Sequence, residues 1–235
     1  MSAWAAKRFW KTATAEACEG GFTVRLDGRA VKTPAKSALV VPTMAMAQAI
    51  AGEWDAQQGV VMPDTMPYTR AANSAIDKVA TQFAEVADLI AAYGASDLLC
   101  YRADGPEALI ARQAAGWDPL LDWAATALDA PLNVTRGIVH IAQPEPSLAV
   151  LTARVHATTP FQLAALHDLV AISGSLVLGL AVTMGRLTAE EAFALSRIDE
   201  NWQAELWGVD DEAAALEAFK HEALLQAGRF FGLCG

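Results

Sequence analysis

The residues able to do chemistry are sparse and scattered. His140, His156, His167 and His221 stand alone, with no His-Glu-x-x-His or His-x-x-x-His spacing to aim two imidazoles at one metal. Glu217 and His221 are four apart, so the Glu-x-x-His spacing of carboxylate-bridged metal sites is absent. Cys18, Cys100 and Cys234 are far apart and odd in number, which fits a reducing compartment and neither a disulfide framework nor a cysteine zinc site. Gly174 and Gly179 have the spacing of a glycine loop, but no Lys-Ser/Thr follows to meet phosphates, and the pair reads as close helix packing. No Gly-x-Ser-x-Gly elbow occurs. Asp199 and Glu200 are adjacent, about 100° apart on a helix, and do not form a carboxylate pair. Asp97, Tyr101 and Arg102 form the one cluster that could do acid–base work. The competing account is an ion-pair network at a domain junction, with Arg70 nearby. No cofactor and no metal are expected.

Tryptophan is the residue type that stands out. Five of the seven, Trp54, Trp117, Trp123, Trp202 and Trp207, lie beside or near an acid; Trp4 and Trp10 do not. Tryptophan anchors interfaces, and it is also a large core residue, which is the expectation for most of these. The net charge of −10 argues against nucleic acid and anionic membrane as partners. It is uneven: residues 1–60 carry seven Lys/Arg and five Asp/Glu, whereas 187–222 hold ten acids against Arg197 and Lys220. Leu169–Gly185 has no charged residue over 17 positions. At 1.5 Å per residue that is about 26 Å, short of a bilayer core of about 30 Å, and its Gly and Ser residues favour a buried helix. The N-terminus shows no secretory or transit pattern, so the Asn133-Val-Thr135 sequon is read as chance.

These residues must be positioned by a chain that is 54% hydrophobic and rich in alanine, 50 of 235, which leans toward helix. Phe22–Leu26 alternates as a strand, Asp27-Gly28 suits a type I′ turn, Arg29–Lys32 returns, and Leu39–Val41 is a third strand. Helices are predicted from Thr43 to about Gln57, from a Thr69 cap to about Ile90, and from Asp104/Pro106 to Gly116. The next runs from Trp117-Asp118-Pro119 to about Asp129, and another opens at Thr159-Pro160. Thr188-Ala-Glu-Glu191 is a capping box for a helix ending at Gly208, and a last helix starts at Asp210 or Asp211. Asn133–His140 is a strand or an extended connection. The fold class is α+β: a small β-rich N-terminal domain, 1–68, and a larger mostly α-helical domain, 69–235.

Seven motifs occur in order. They are Arg8-Phe-Trp-Lys11, Leu26-Asp-Gly-Arg-Ala-Val-Lys-Thr-Pro34, Glu53-Trp-Asp-Ala-Gln57, and Met66-Pro-Tyr-Thr69 with Asp77. Asp97-Leu-Leu-Cys-Tyr-Arg102, Gln113-x-x-x-Trp-Asp-Pro-Leu-Leu-Asp-Trp123 and Asp199-Glu-Asn-Trp-Gln-Ala-Glu-Leu-Trp-Gly208 complete the set. Together they resemble the ATP synthase assembly chaperone family that escorts the α subunit of the catalytic F-sector. The resemblance runs from residue 8 to about 232. It implies a small α+β domain before a helical one and no enzymatic activity. It also implies binding of the unassembled α subunit so that the surface later meeting β subunits is shielded. With no transit sequence, a bacterial cytoplasm is expected, or a mitochondrial matrix if the chain is a trimmed form. A monomer is expected.

The partner-binding surface is placed on a helix Ala189–Trp207. At 100° per residue, Leu195, Ile198, Trp202 and Leu206 share one face, toward the core, and Phe193, Glu200, Ala204 and Trp207 share the opposite one. Gln203 and Glu205 flank it. The resemblance associates the glutamate of Asp-Glu-x-Trp-Gln, here Glu200, with function; the alternative is a helix-surface pair with Arg197. Arg8, Arg29 and Lys32 read as a solvated basic face. Two other classes stay open: a small enzyme using Asp97 and Tyr101 as acid–base groups, and a scaffold subunit.

Overall fold

The computed structural model describes residues 7–208 and 210–235. Trp4 lies outside them. The chain forms two compact units, one from the N-terminal stretch up to Phe83 with 159–165 and 229–235, the other from 84–158 and 166–228. Where the sequence suggests a single boundary between 68 and 69, the first unit is assembled from discontinuous segments. The architecture is α+β as expected, with a small antiparallel sheet first and helices after it.

In the first unit β1 (Ala13–Cys18), β2 (Gly21–Leu26) and β3 (Arg29–Ala30) form the sheet, in register from Ala13 opposite Leu26 to Cys18 opposite Gly21. β1 escapes sequence reading because its Ala-Thr-Ala-Glu-Ala pattern is mostly alanine, with Thr14 as its one β-branched residue, and pairs along its length with β2. Asp27 and Gly28 make the expected turn with φ of 46° and 82°. The Asp27 carboxylate accepts the Lys11 and Thr12 amides, which hold its pKa below the ordinary value. The expected strand at 39–41 reduces to a bridge between Phe22 and Val41.

α1 (Met44–Ala56) is capped by Thr43, whose hydroxyl also donates to the Leu233 carbonyl at 2.6 Å. Met46, Ala47 and Ile50 pack under the sheet with Trp10, Val24, Leu39 and Phe230. α2 starts at Pro67 (Pro67–Ser74), not at a Thr69 cap. The orphan amides of Tyr68 and Thr69 are instead taken by Glu53 from α1, at 2.7 and 2.8 Å. A π-helical turn, Ala75–Val79, follows, and α3 (Phe83–Ala91) comes after a break. The predicted helix from 69 to 90 is therefore interrupted.

In the second unit α4 (Glu107–Ala127) runs unbroken through Pro119, against the expected break. Its buried Trp117 donates its indole N–H to the Leu195 carbonyl at 2.9 Å, and Leu120 and Leu121 are buried beside it, so tertiary anchoring outweighs the lost hydrogen bond. β4 (Tyr101–Arg102) pairs in parallel with β5 (Thr135–Arg136), the extended connection expected at 133–140. α5 (Glu145–His156) was not legible in the sequence. The apolar stretch 169–185 is two helices rather than one. α6 (Pro160–Ser173) ends at Gly174, whose φ is +72°, and α7 (Leu176–Thr183) begins under a Ser175 cap. Among the described residues no helix is long and apolar enough to cross a membrane. A Cβ on Gly179 would stand 2.6 Å from Val170, confirming the close helix packing.

α8 (Ala189–Ser196) has the full capping box at Thr188 and Glu191. The helix predicted to run on to 207 stops at Arg197, where φ is −107° and ψ 15°, and α9 (Ile198–Trp207) continues to Gly208. α10 (Asp211–Gly232) starts under an Asp210 cap on the Ala213 amide at 2.7 Å.

Candidate partner-binding surface

The break at Arg197 decides which of the expected site residues come together. The faces counted on one continuous helix do not carry across it. Phe193, on α8, is 8% exposed and packs with Leu169, Leu224 and Ala227, its ring 4.8 Å from that of His221. It is therefore not on an outer face with Glu200, Ala204 and Trp207. On α9, Ile198 is buried and Trp202 half-buried, as expected of a core face, but Leu206 is 58% exposed. Trp207 is 81% exposed, an unusual position for so large an apolar ring. Glu200, Gln203 and Glu205 are exposed and Ala204 is half-buried.

The charges on this helix are held. Arg197, nearly buried, meets Glu200 at 3.0 Å, the pair expected from their spacing. Arg112 reaches across from α4, and its two terminal nitrogens donate to both oxygens of Glu205 at 2.6 and 2.9 Å. This two-point fork draws the Glu205 pKa below, and the Arg112 pKa above, their ordinary values, with the hydrogen bonds as the main cause. The same guanidinium lies 4.9 Å from the Trp202 ring. Arg112, Ile198, Asn201, Ala204 and Glu205 line an open groove of about 450 Å³. A second groove, about 480 Å³, runs between α8, α9 and α10 and includes Phe193, Arg197, Asn201, Glu217 and His221. Arg112 carries no local signal in the sequence, because its partner is 93 positions away.

The Asp97 cluster does not assemble as either account expects. Asp97 is fully buried and accepts the Ser175 hydroxyl at 2.7 Å and the Leu99 and Val177 amides at 3.0 and 2.9 Å. It ties the start of α7 to the preceding loop, and burial pushes its pKa up. Tyr101 turns away to His140, 3.2 Å. Arg102 pairs with Asp118 at 2.7 Å and donates to the Leu99 carbonyl, and Arg70 meets Asp64 at 3.5 Å. Asp97 and Tyr101 thus do not converge on one point. Arg8 also departs from expectation. It is no free basic residue, since it pairs with Asp55 at 3.1 Å and donates to the Gln57 carbonyl at 2.6 Å.

The motifs meet in pairs. Arg8 clasps the Glu53–Gln57 segment, Glu53 caps the helix of Met66–Thr69, and Asp77 accepts the Thr33 hydroxyl at 2.7 Å. Gln113 accepts the Ala103 amide and donates to Asp199 at 2.6 Å. After these structural duties, the motif side chains left in solvent include Glu200, Leu206 and Trp207.

A family model described as ATP12 chaperone protein matches residues 7–125. The mitochondrial protein atp12 of Schizosaccharomyces pombe is 26% identical over 228 residues, covering 90% of this chain and 77% of that one. The crystal structure of Atp12 from Paracoccus denitrificans is 53% identical, with a TM-score of 0.96 over 98% of this chain and 99% of that one. An aspartate-to-lysine mutant of the Paracoccus protein is 52% identical with the same TM-score over the whole of both chains.

Proposed function

Because the chain belongs to the ATP12 chaperone family, we propose that it is a non-catalytic assembly factor for F-type ATP synthase. It binds the unassembled α subunit and shields its subunit interface until β subunits replace it. The observation that carries this is Leu206 and Trp207 in solvent on the same short helix as the carboxylates of Glu200 and Glu205. A lone subunit of a ring exposes a surface resembling a halved core, which aggregates unless covered. An apolar pair covers such a surface, and the acids beside it orient the encounter. Affinity must stay limited, since the true neighbour has to displace the chaperone. Glu200, Gln203, Ala204, Glu205 and Trp207 form the contact, with Phe193 packed inside the unit behind Arg197, the partner of Glu200. The bacterial cytoplasm is the compartment, and the working unit is a monomer.

The test is capture of purified α subunit by Glu200→Lys, Trp207→Ala and wild type, with melting temperature measured on the same preparations. Glu200 is exposed but its partner Arg197 is nearly buried, so reversing the charge costs more than the about 0–1 kcal/mol of a fully exposed pair; Glu200→Gln, which removes the charge without placing a like charge beside Arg197, is measured with it. A charge desolvated at an interface costs about 2–5 kcal/mol when its partner is left unpaired, or about 30-fold or more in affinity. Lost capture is expected for all the variants, with a nearly unchanged melting temperature for Trp207→Ala and Glu200→Gln. Unchanged capture, or capture lost only with unfolding, overturns the proposal.

A further inference from the structure

The apolar exposure does not end with α9. Beyond the connection 208–210, Leu216 and Phe219 on the first half of α10 are 54% and 70% exposed. They are three residues apart and so project from one side of the helix. That side is not the one used inside the unit: Ala214, Glu217, Ala218 and His221 line the groove toward α8, where His221 meets Glu190 at 2.8 Å. Leu216 and Phe219 point about 100–160° away from Ala214 and Ala218. Leu216 and Phe219 are two large side chains at helical spacing on one outward face, more than a single scattered apolar residue.

The segment of chain that carries it is strongly acidic. From residue 199 to 222 there are eight carboxylates and one lysine, Lys220. Of the acids, Glu205 is taken up by Arg112 and Glu200 by Arg197, whereas Asp211 and Glu212 stand in the first turn of α10. A second copy of the chain would bring the same acids against each other. A nucleic acid or an anionic lipid surface would be repelled.

We infer that the outer face of α10, through Leu216 and Phe219, is a second docking surface for a basic, apolar segment of the client, one in which lysines or arginines flank large aliphatic or aromatic residues. This rests on the chaperone reading for the identity of the client but not for the chemistry of the surface. The apolar side chains remove the client's own apolar residues from water, and the acids select a segment of opposite charge and hold its register.

Two probes separate the two claims: purified α subunit, and an amphipathic leucine–lysine peptide with its leucine–glutamate counterpart. Wild type should bind the α subunit and the lysine peptide but not the glutamate peptide. Leu216→Glu/Phe219→Glu should weaken both interactions about tenfold or more, with far-UV circular dichroism and melting temperature unchanged because both side chains are in solvent. Asp211→Asn/Glu212→Gln, in the first turn of α10, should weaken both several-fold and flatten their salt dependence. Binding of the lysine peptide without the α subunit would sink the function and leave the surface. Capture of the α subunit with full strength by Leu216→Glu/Phe219→Glu would sink the surface and leave the function. Equal binding of the two peptides would overturn the chemistry assigned to the occupant.

Discussion

Asp97 shows how a residue with catalytic credentials can be spent on architecture. Its carboxylate takes three donors, the Ser175 hydroxyl and the Leu99 and Val177 amides, in a site without solvent. Asp97→Ala strands those donors, and buried unmet groups cost about 1–3 kcal/mol each. A loss of about 3 kcal/mol or more in denaturant unfolding is expected. Its pKa is raised by burial, so the native state holds the proton more tightly than the unfolded chain. The stability this contributes is complete below the ordinary carboxyl value and is lost as pH rises through the raised one. The difference in melting temperature between wild type and Asp97→Asn should change in that direction across the acid range. Glu205 has the opposite sign. Its pKa is lowered by the Arg112 fork, so its contribution is present above the ordinary glutamate value and disappears as pH falls through the lowered one. Because Arg112 also lies over Trp202, tryptophan fluorescence should report the fork opening in acid, and Arg112→Met should remove that transition.

At the scale of elements, the sequence shows local chemistry well and long-range anchoring poorly. The Asp27-Gly28 turn, the Thr43 cap, the Thr188–Glu191 capping box and the Gly208 stop are all encoded within four residues, and all are found. The errors lie where a distant partner decides. Pro119 should end a helix, but Trp117 is fixed by the Leu195 carbonyl on another helix and α4 runs on. Pro119 is exposed, so Pro119→Ala restores a backbone donor without disturbing packing and should stabilise the protein by about 1–3 kcal/mol in chemical denaturation. The break at Arg197 was illegible for the same reason: a helical period continues through it, and only the structure turns Phe193 inward while Trp207 faces solvent. Half of the candidate surface was therefore legible, the acids and Trp207, whereas Arg112, Leu216 and Phe219 carried no local mark. Gly179 gives a test of packing: Gly179→Val forces a branched side chain against Val170 and Leu166, and a loss of about 1–3 kcal/mol is expected from overpacking.

For the molecule as a whole, the charge is the property most open to experiment. Residues 1–60 carry an excess of two basic groups in a protein of net charge −10, so the remainder is strongly acidic, and 187–222 alone holds ten acids against two bases. Such a field would steer the proposed basic client toward the region of α9 and α10 before any contact forms, and steering acts on the association rate. In the proposed complex the exposed Leu206 and Trp207 act after contact, by keeping water out, and so govern dissociation. The two contributions should separate in surface-plasmon kinetics against purified α subunit. Raising salt from low ionic strength to physiological, where the screening length shortens to about 8 Å, should lower the association rate severalfold and leave dissociation nearly unchanged. Trp207→Ala should do the reverse, speeding dissociation about tenfold or more with little change in association. A salt effect confined to dissociation would mean that the acids of 187–222 as a group, and not Glu200 alone, act as desolvated contacts rather than as a guiding field.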